Sequence, residues 1–163
     1  MSRLIPLTQG QCAIVDDDDF AWLSQWKWHA QKNGRGGFYA KRRGENRQVI
    51  SMHREIIQTP KGLVTDHVDG NGLNNQRSNL RLATQLQNMM NRRGKRGGTS
   101  RFKGVWVDPS PRNLKAWRAA IRVDGKLCYL GRFTTEEEAG AAYAHAAAEH
   151  FGHFANTTSG EIL

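Results

Sequence analysis

The stretch that most restricts what this chain can become runs from Val64 to Asn91, V-T-D-H-V-D-G-N-G-L-N-N-Q-R-S-N-L-R-L-A-T-Q-L-Q-N-M-M-N. Its opening predicts a strand that ends in two reactive side chains, Asp66 and His67. The loop after that strand is made of Gly, Asn and Asp, a composition that supplies turns and builds no core. Ser78-Asn79-Leu80 closes the loop, and after Thr84 a short run with helical character ends near Asn91. Asp66, His67, Asn79 and Asn88 thus stand at a strand end, a loop exit and on a helix, positions from which they can converge. A carboxylate beside an imidazole, backed by amides, can hold a hard cation and a base together.

The rest of the chain narrows the setting. With 163 residues and a formal net charge of +9, it is about one ordinary domain or two to three very small ones, and its charge favours a polyanionic partner. Cys12 and Cys128 are the only cysteines, which argues against a disulfide framework and for reduced thiols in the cytoplasm. No apolar run suits a bilayer span and no signal-peptide pattern opens the chain. No membrane partner and no small-molecule substrate are therefore expected.

In the first fifty residues, Leu4 to Leu7 and Cys12 to Val15 read as strands around a turn at Gln9-Gly10. Asp16 to Asp19 precede Phe20, Trp22, Leu23 and Trp26, spaced for one face of a short helix. These aspartates invite a metal reading, but carboxylates at a helix start ordinarily cap N–H groups and suit the dipole. Trp26 to His29 and Phe38 to Lys41 read as paired strands, with Arg42, Arg43 and Arg47 trailing as solvated or phosphate-touching groups. Val49 to Ile57 reads as a helical stripe, on which His53 is expected to be packed rather than catalytic.

From Asn91 to Lys103 the chain has six cationic side chains, three glycines and no acid. It cannot fold alone and reads as a linker able to follow a phosphate backbone. Beyond it, Phe102 to Val107 reads as a strand. Lys115 to Val123 alternates, with Trp117, Ala119, Ile121 and Val123 inward and Arg118, Ala120 and Arg122 outward. Asp124-Gly125 is a favoured hairpin turn. The returning strand to Phe133 places Cys128 and Leu130 inward, Leu127 and Tyr129 outward. Thr135 with Glu138 forms a capping box that opens a helix through about Phe151. His145, His150 and His153 lack a good ligand spacing and read as surface or packing residues.

The pattern D-H-V-D-G-N…N-N…S-N-L-R…T…N-M-M-N resembles the HNH endonuclease motif in its Asn-ended form, frequent among phage and homing nucleases. Asn79 and Asn88 stand 12 and 21 residues after His67. The resemblance implies a ββα-metal unit in which His67 is the general base, Asn79 accepts from its ring N–H, and Asp66 with Asn88 holds one divalent cation. Mg²⁺ suits so sparse a set of oxygen ligands, with Mn²⁺ or another divalent ion as alternatives. It also implies cleavage to 5′-phosphate and 3′-hydroxyl ends. Asp69, Asn75 and Asn91 are further oxygen donors, read as loop and cap groups before ligands.

The order F-K-G-V-W…A-W-R-A-A-I-R…Y-L-G-R-F-T-T-E-E-E-A-G-A-A-Y resembles the ethylene-response-factor (Apetala-type) DNA-binding domain across nearly all of residues 100–156. That resemblance implies a three-stranded antiparallel sheet on one helix, with the free sheet face in the DNA major groove. Trp106 and Asp108 stand where the plant family carries arginines, and Ala120 where it carries Glu, so DNA binding carries over and base preference does not.

The expected fold is α+β: a β-rich support segment (1–50), a ββα-metal HNH unit (51–93), a basic linker (94–101) and an Apetala-type domain (102–158). The expected DNA contacts are Arg92, Arg93, Lys95, Arg96, Arg101, Lys103, Lys115, Arg118, Arg122 and Tyr129. The expected function is a phage-encoded, homing-type, metal-dependent endonuclease, bound to double-stranded DNA as a monomer and nicking one strand. The alternative is a DNA-binding regulator that uses the C-terminal sheet without catalysis.

Overall fold

The computed structural model describes residues 1–34, 36–91, 98–108 and 116–155. It is an α+β chain that divides into two compact units, Met1–Asn88 and Met89–Leu163. In order, its elements are β1 (Ser2–Pro6), β2 (Cys12–Asp16), α1 (Asp17–Leu23), β3 (His29–Lys32), β4 (Phe38–Arg43), β5 (Val49–Ser51), α2 (Met52–Ile56), β6 (Val64–His67), β7 (Leu80–Ala83), α3 (Gln85–Met90), β8 (Val105–Val107), β9 (Trp117–Val123), β10 (Lys126–Phe133) and α4 (Glu136–Phe151). No helix among the described residues is long and apolar enough to cross a membrane.

The first unit holds three small antiparallel sheets, β1-β2, β3-β4-β5 and β6-β7. Gln9 and Gly10 take positive φ of 61° and 66° to turn β1 into β2, a conformation that glycine adopts without steric cost. Ile5, Val15, Leu23, Trp28, Met52 and Ile56 form the centre of its core. Trp28 is buried with its indole N–H donating to Leu23 O at 2.8 Å. Arg42 packs over Trp26 and pairs with Glu55 at 2.7 Å, so it is a structural cation. The stripe expected over residues 49–57 splits into β5 and the one-turn helix α2. Its first three residues pair with β4, Lys41 against Ser51 and Arg43 against Val49.

Asp17, Asp18 and Asp19 stand in the first turn of α1, where carboxylates suit the dipole, but the expected capping bond is not made. Asp16 is the N-cap residue but makes no side-chain cap bond. Its carboxylate instead accepts from Gln76 Nε2 (3.1 Å) and the Arg77 backbone N–H (2.8 Å). Asp19, 2% exposed, takes both ends of the Arg77 guanidinium at 2.8 and 2.7 Å. Ile14 donates to Leu73 O and accepts from the Asn75 N–H. The loop after β6 is therefore stitched onto β2 and α1 along residues 73–77.

In the second unit, β10-β9-β8 form one antiparallel sheet. The core is Val105, Ala119, Ile121, Ala139, Tyr143, Ala146, Ala147 and Phe151. Asp124 and Gly125, at φ 47° and 80°, make the expected hairpin turn. Thr135 and Glu138 close the capping box at the start of α4, and Gly152 ends the helix. Small residues let these layers approach: a Cβ on Gly140 would lie 2.7 Å from the Phe102 ring.

Strict alternation breaks in β10. Tyr129 pairs with Ala120 but Gly131 pairs with Ala119, so Leu130 is an extra residue in a β-bulge. A bulge reverses the parity of the strand residues beyond it. Arg132 consequently faces the same way as Arg118, its register partner, rather than inward. Cys128, expected inward, is opposite Ile121 yet exposed. It lies on an edge strand and near the hairpin end, where only one neighbouring strand covers it.

Candidate active site

The candidate site lies in the first unit, around the end of β6. That strand pairs with β7 in the register Asp66↔Arg81 and His67↔Leu80. Successive strand residues point to opposite faces, and both Asp66 and His67 are buried, at 4% and 6% exposure. Arg81 reaches Asp66 Oδ2 through Nε (2.7 Å) and Nη2 (2.6 Å). A cross-strand arginine thus accompanies the carboxylate into the interior, as a buried charge requires.

Around His67 the structure gathers residues far apart in the chain. Its Nε2 lies 3.5 Å from Asn75 Oδ1, and Asn75 is fully buried. Its ring meets His53 of α2 nearly perpendicularly, with centroids 5.0 Å apart, and Tyr39 of β4 at 5.9 Å. Tyr39 also contacts His53 at 5.5 Å. Gly72 lets the loop come down on this cluster, because a Cβ there would lie 2.4 Å from both Phe38 O and the Tyr39 ring. Burial pushes the His67 pKa below its ordinary value, opposed by the Asn75 bond and the Asp69 and Asp66 charges. Burial likewise lowers His53, to about 3, with the positive fields of His67, Arg54 and Lys41 adding to it.

Asn79 departs from its expected partner. Its Oδ1 accepts from the Asp69 backbone N–H (3.0 Å), and its Nδ2 donates to Asp69 Oδ1 (3.0 Å) and Asn74 O (2.8 Å). The amide oxygen expected to accept from the imidazole thus serves the Asp69 N–H, and His67 Nε2 lies within reach of Asn75 Oδ1. Asp69 also accepts from the Asn71 N–H and from Asn74 Nδ2, which makes it the hub of the turn. Asp69 and Asn75 both bond within the loop, and Asn75 also faces His67.

Asn88 is half-buried on α3, with its backbone N–H on Thr84 O at 3.0 Å. Thr84 and Gln87 exchange bonds that open this helix, Thr84 N–H to Gln87 Oε1 (2.8 Å) and Gln87 N–H to Thr84 Oγ1 (3.2 Å). Among the described residues, no three or more His, Cys, Asp or Glu side chains gather to hold a metal by themselves. What the sequence offers is one carboxylate and one amide, all hard oxygen donors. That set fits a small divalent cation whose remaining positions go to water and phosphate, and it does not fit a thiolate- or imidazole-bound metal.

Of the expected DNA-contacting residues, Arg92, Arg93, Lys95, Arg96 and Lys115 lie outside the described residues. In the second unit Arg122 and Tyr129 are exposed on the outward sheet face. Arg118 shares that face but is paired with Asp108. Trp106 and Arg132 stand abreast of it, one on each neighbouring strand. Arg101 pairs with Glu137 at 2.5 Å, and Lys103 donates to Met90 O at 2.6 Å.

Sequence reading missed Tyr39, placed His53 among packing residues, and did not single out Arg132. Nothing local marks Tyr39, which reaches the site only because β4 and α2 pack beside β6. The family described as HNH endonuclease matches residues 58–90. An uncharacterised HNH endonuclease of Acanthamoeba polyphaga mimivirus is 33% identical over 153 residues, spanning 90% of this chain and 74% of that protein. Protein 3.8 of Escherichia phage T7 is 38% identical over 68 residues, spanning 41% of this chain and 53% of its own length. No solved structure matches.

Proposed function

The chain belongs to the HNH endonuclease family, a family of DNA nucleases that generally use a divalent metal ion, and on that premise we propose that it is a homing-type enzyme that nicks double-stranded DNA from a centre built on β6. The observation that carries this reading is a buried His67 whose surroundings disfavour its charged form, set beside Asp66 at one strand end. A neutral imidazole is what a general base needs.

In this reading His67 takes the proton of the attacking water. Donation from its Nε2–H to Asn75 Oδ1 leaves the lone pair on Nδ1, the proton acceptor. Asn79 is a positioning residue: by fastening Asp69 and Asn74 it presents Asn75 to the ring. Asp66 and Asn88 would hold one divalent ion, Mg²⁺ by the hardness of their oxygens. When bound, that ion supplies charge neutralisation at the scissile phosphate and the departing oxygen. Arg81 holds Asp66 in place before substrate arrives.

The C-terminal sheet is the DNA grip, similar in arrangement to the Apetala-type domain. Its outward face carries Arg118, Arg122, Tyr129, Arg132 and Trp106, with Arg101, Lys103 and Lys115 and the basic segment Arg92, Arg93, Lys95 and Arg96 as phosphate contacts. One site per monomer implies one strand cut per visit. Supercoiled plasmid incubated with the protein tests this. Conversion to the open-circular form with Mg²⁺ or Mn²⁺, and none with EDTA, is expected; linear product from the outset argues against a nicking monomer, and cutting in EDTA argues against the ion.

A further inference from the structure

His53 is a costly residue for the place it occupies. It sits between Met52 and the helical turn that buries Ile56, and its ring contacts Tyr39 and His67. Its Nδ1 is buried and has no hydrogen-bond partner among the described residues. Leaving such an atom unpaired is destabilising, which a phenyl ring in the same place avoids. A persistent orphan of this kind calls for a partner from outside the chain. The surroundings say which kind: besides burial, which comes first, Arg54 and Lys41 add positive fields at His53, and no carboxylate is among the groups shifting it. A cation is disfavoured there, and an anionic oxygen is favoured.

We propose that His53 is a substrate-binding residue of the nuclease centre, its Nδ1–H donating to a non-bridging oxygen of the DNA phosphate that His67 addresses. This rests on the assignment of the centre to His67 given above. It extends the site beyond residues 58–90, onto α2, and makes His53 and His67 a pair of unlike function: one ring holds the phosphate, the other activates water. Tyr39 and Gly72 set the distance between them, the tyrosine by touching both rings and the glycine by letting the loop close on the tyrosine.

Two substitutions separate this role from packing. His53→Phe keeps the ring and removes the donor; His53→Asn removes the ring and places an amide N–H close to the position of Nδ1. The inference predicts that His53→Phe lowers kcat/KM about a hundredfold, the cost of losing one donor to a reacting oxyanion. His53→Asn stays within about tenfold of wild type on the same scale. The reverse order, Phe active and Asn poor, overturns it. Imidazole ¹⁵N spectra of the wild-type protein in EDTA, titrated with a short DNA duplex, give a second readout free of folding effects. A shift of the His53 Nδ1 signal on binding is expected, and an unmoved signal overturns the inference. His67→Ala keeps the two levels distinct: if it still cuts, the assignment of the centre fails. If it is silent while His53→Phe cuts normally, only the role of His53 fails.

Discussion

The two units reach a folded state by opposite means. The first buries Asp19, Asp66, His67, Asn75 and Asn79 and holds them with paired charges and amide bonds. The second buries alanines, Ile121, Tyr143 and Phe151, with Asn91 its single buried polar residue among those described. Buried polar groups stabilise less than apolar ones and tolerate no loss of a partner. The proposed catalytic centre uses them nonetheless, because burial biases its imidazole further toward the neutral form and the fastened loop fixes the ring's partner. A sheet proposed to grip DNA has no such need: Arg122 and Tyr129 on its outward face are exposed, and the core behind them is apolar. On the proposed function, the demand falls on the interior of the first unit and on the surface of the second.

The largest effect that bears on this contrast is expected in the second unit. Ile121→Ala removes a fully buried branched side chain and should destabilise β9 and α4 by about 4 kcal/mol, read as reduced amide-exchange protection there. Next, Arg77→Ala leaves Asp19 buried without its guanidinium and should cost about 2–3 kcal/mol, discounted because Arg77 itself is half exposed. Urea denaturation followed by the tryptophans near α1 measures it; a loss below about 0.5 kcal/mol, typical of a surface pair, breaks the claim that this unit depends on buried charge.

Smaller again is the DNA grip. Arg118→Ala, Arg122→Ala and Arg132→Ala together should weaken binding about tenfold or more and lower the slope of log K against log salt by about one for each phosphate left without its arginine. Arg118, already paired with Asp108, should contribute least of the three. A variant with unchanged salt dependence moves the grip off this face. A further effect depends on pH and builds up only below neutrality. His53, lowered to about 3 in the fold, binds its proton more readily in the unfolded chain, where its value is near 6.5. Stability is therefore full above that value and is lost as pH falls from 6.5 toward 3, by at most about 1.4 kcal/mol per pH unit for one proton. His67, also lowered by burial, acts in the same direction. Thermal denaturation across that range should show the loss in wild type and less of it in His53→Phe.

Much of the fold is legible in the sequence because the relevant signals are local. The Asp124-Gly125 turn, the Thr135–Glu138 box and the strand ending at His67 each depend on residues within one turn of one another. The missing parts share a physical cause, long-range contact. Asp16 and Asp19 read as caps because their partners, Gln76 and Arg77, are 58 to 61 positions away. Tyr39 and His53 carry no mark of their approach to His67, since the packing of β4 and α2 beside β6 creates it. Arg132 is hidden by a single extra residue in β10, which no alternation count can anticipate.

The division of labour between the units is tested most directly by single-turnover cleavage of one plasmid at protein concentrations that saturate binding. His67→Ala should bind like wild type and cut about a thousandfold more slowly or not at all. The Arg118, Arg122 and Arg132 triple variant, once saturated, should cut within about threefold of wild type, its loss being one of uniform binding. A His67→Ala protein that cuts at the wild-type rate would contradict the account at its centre.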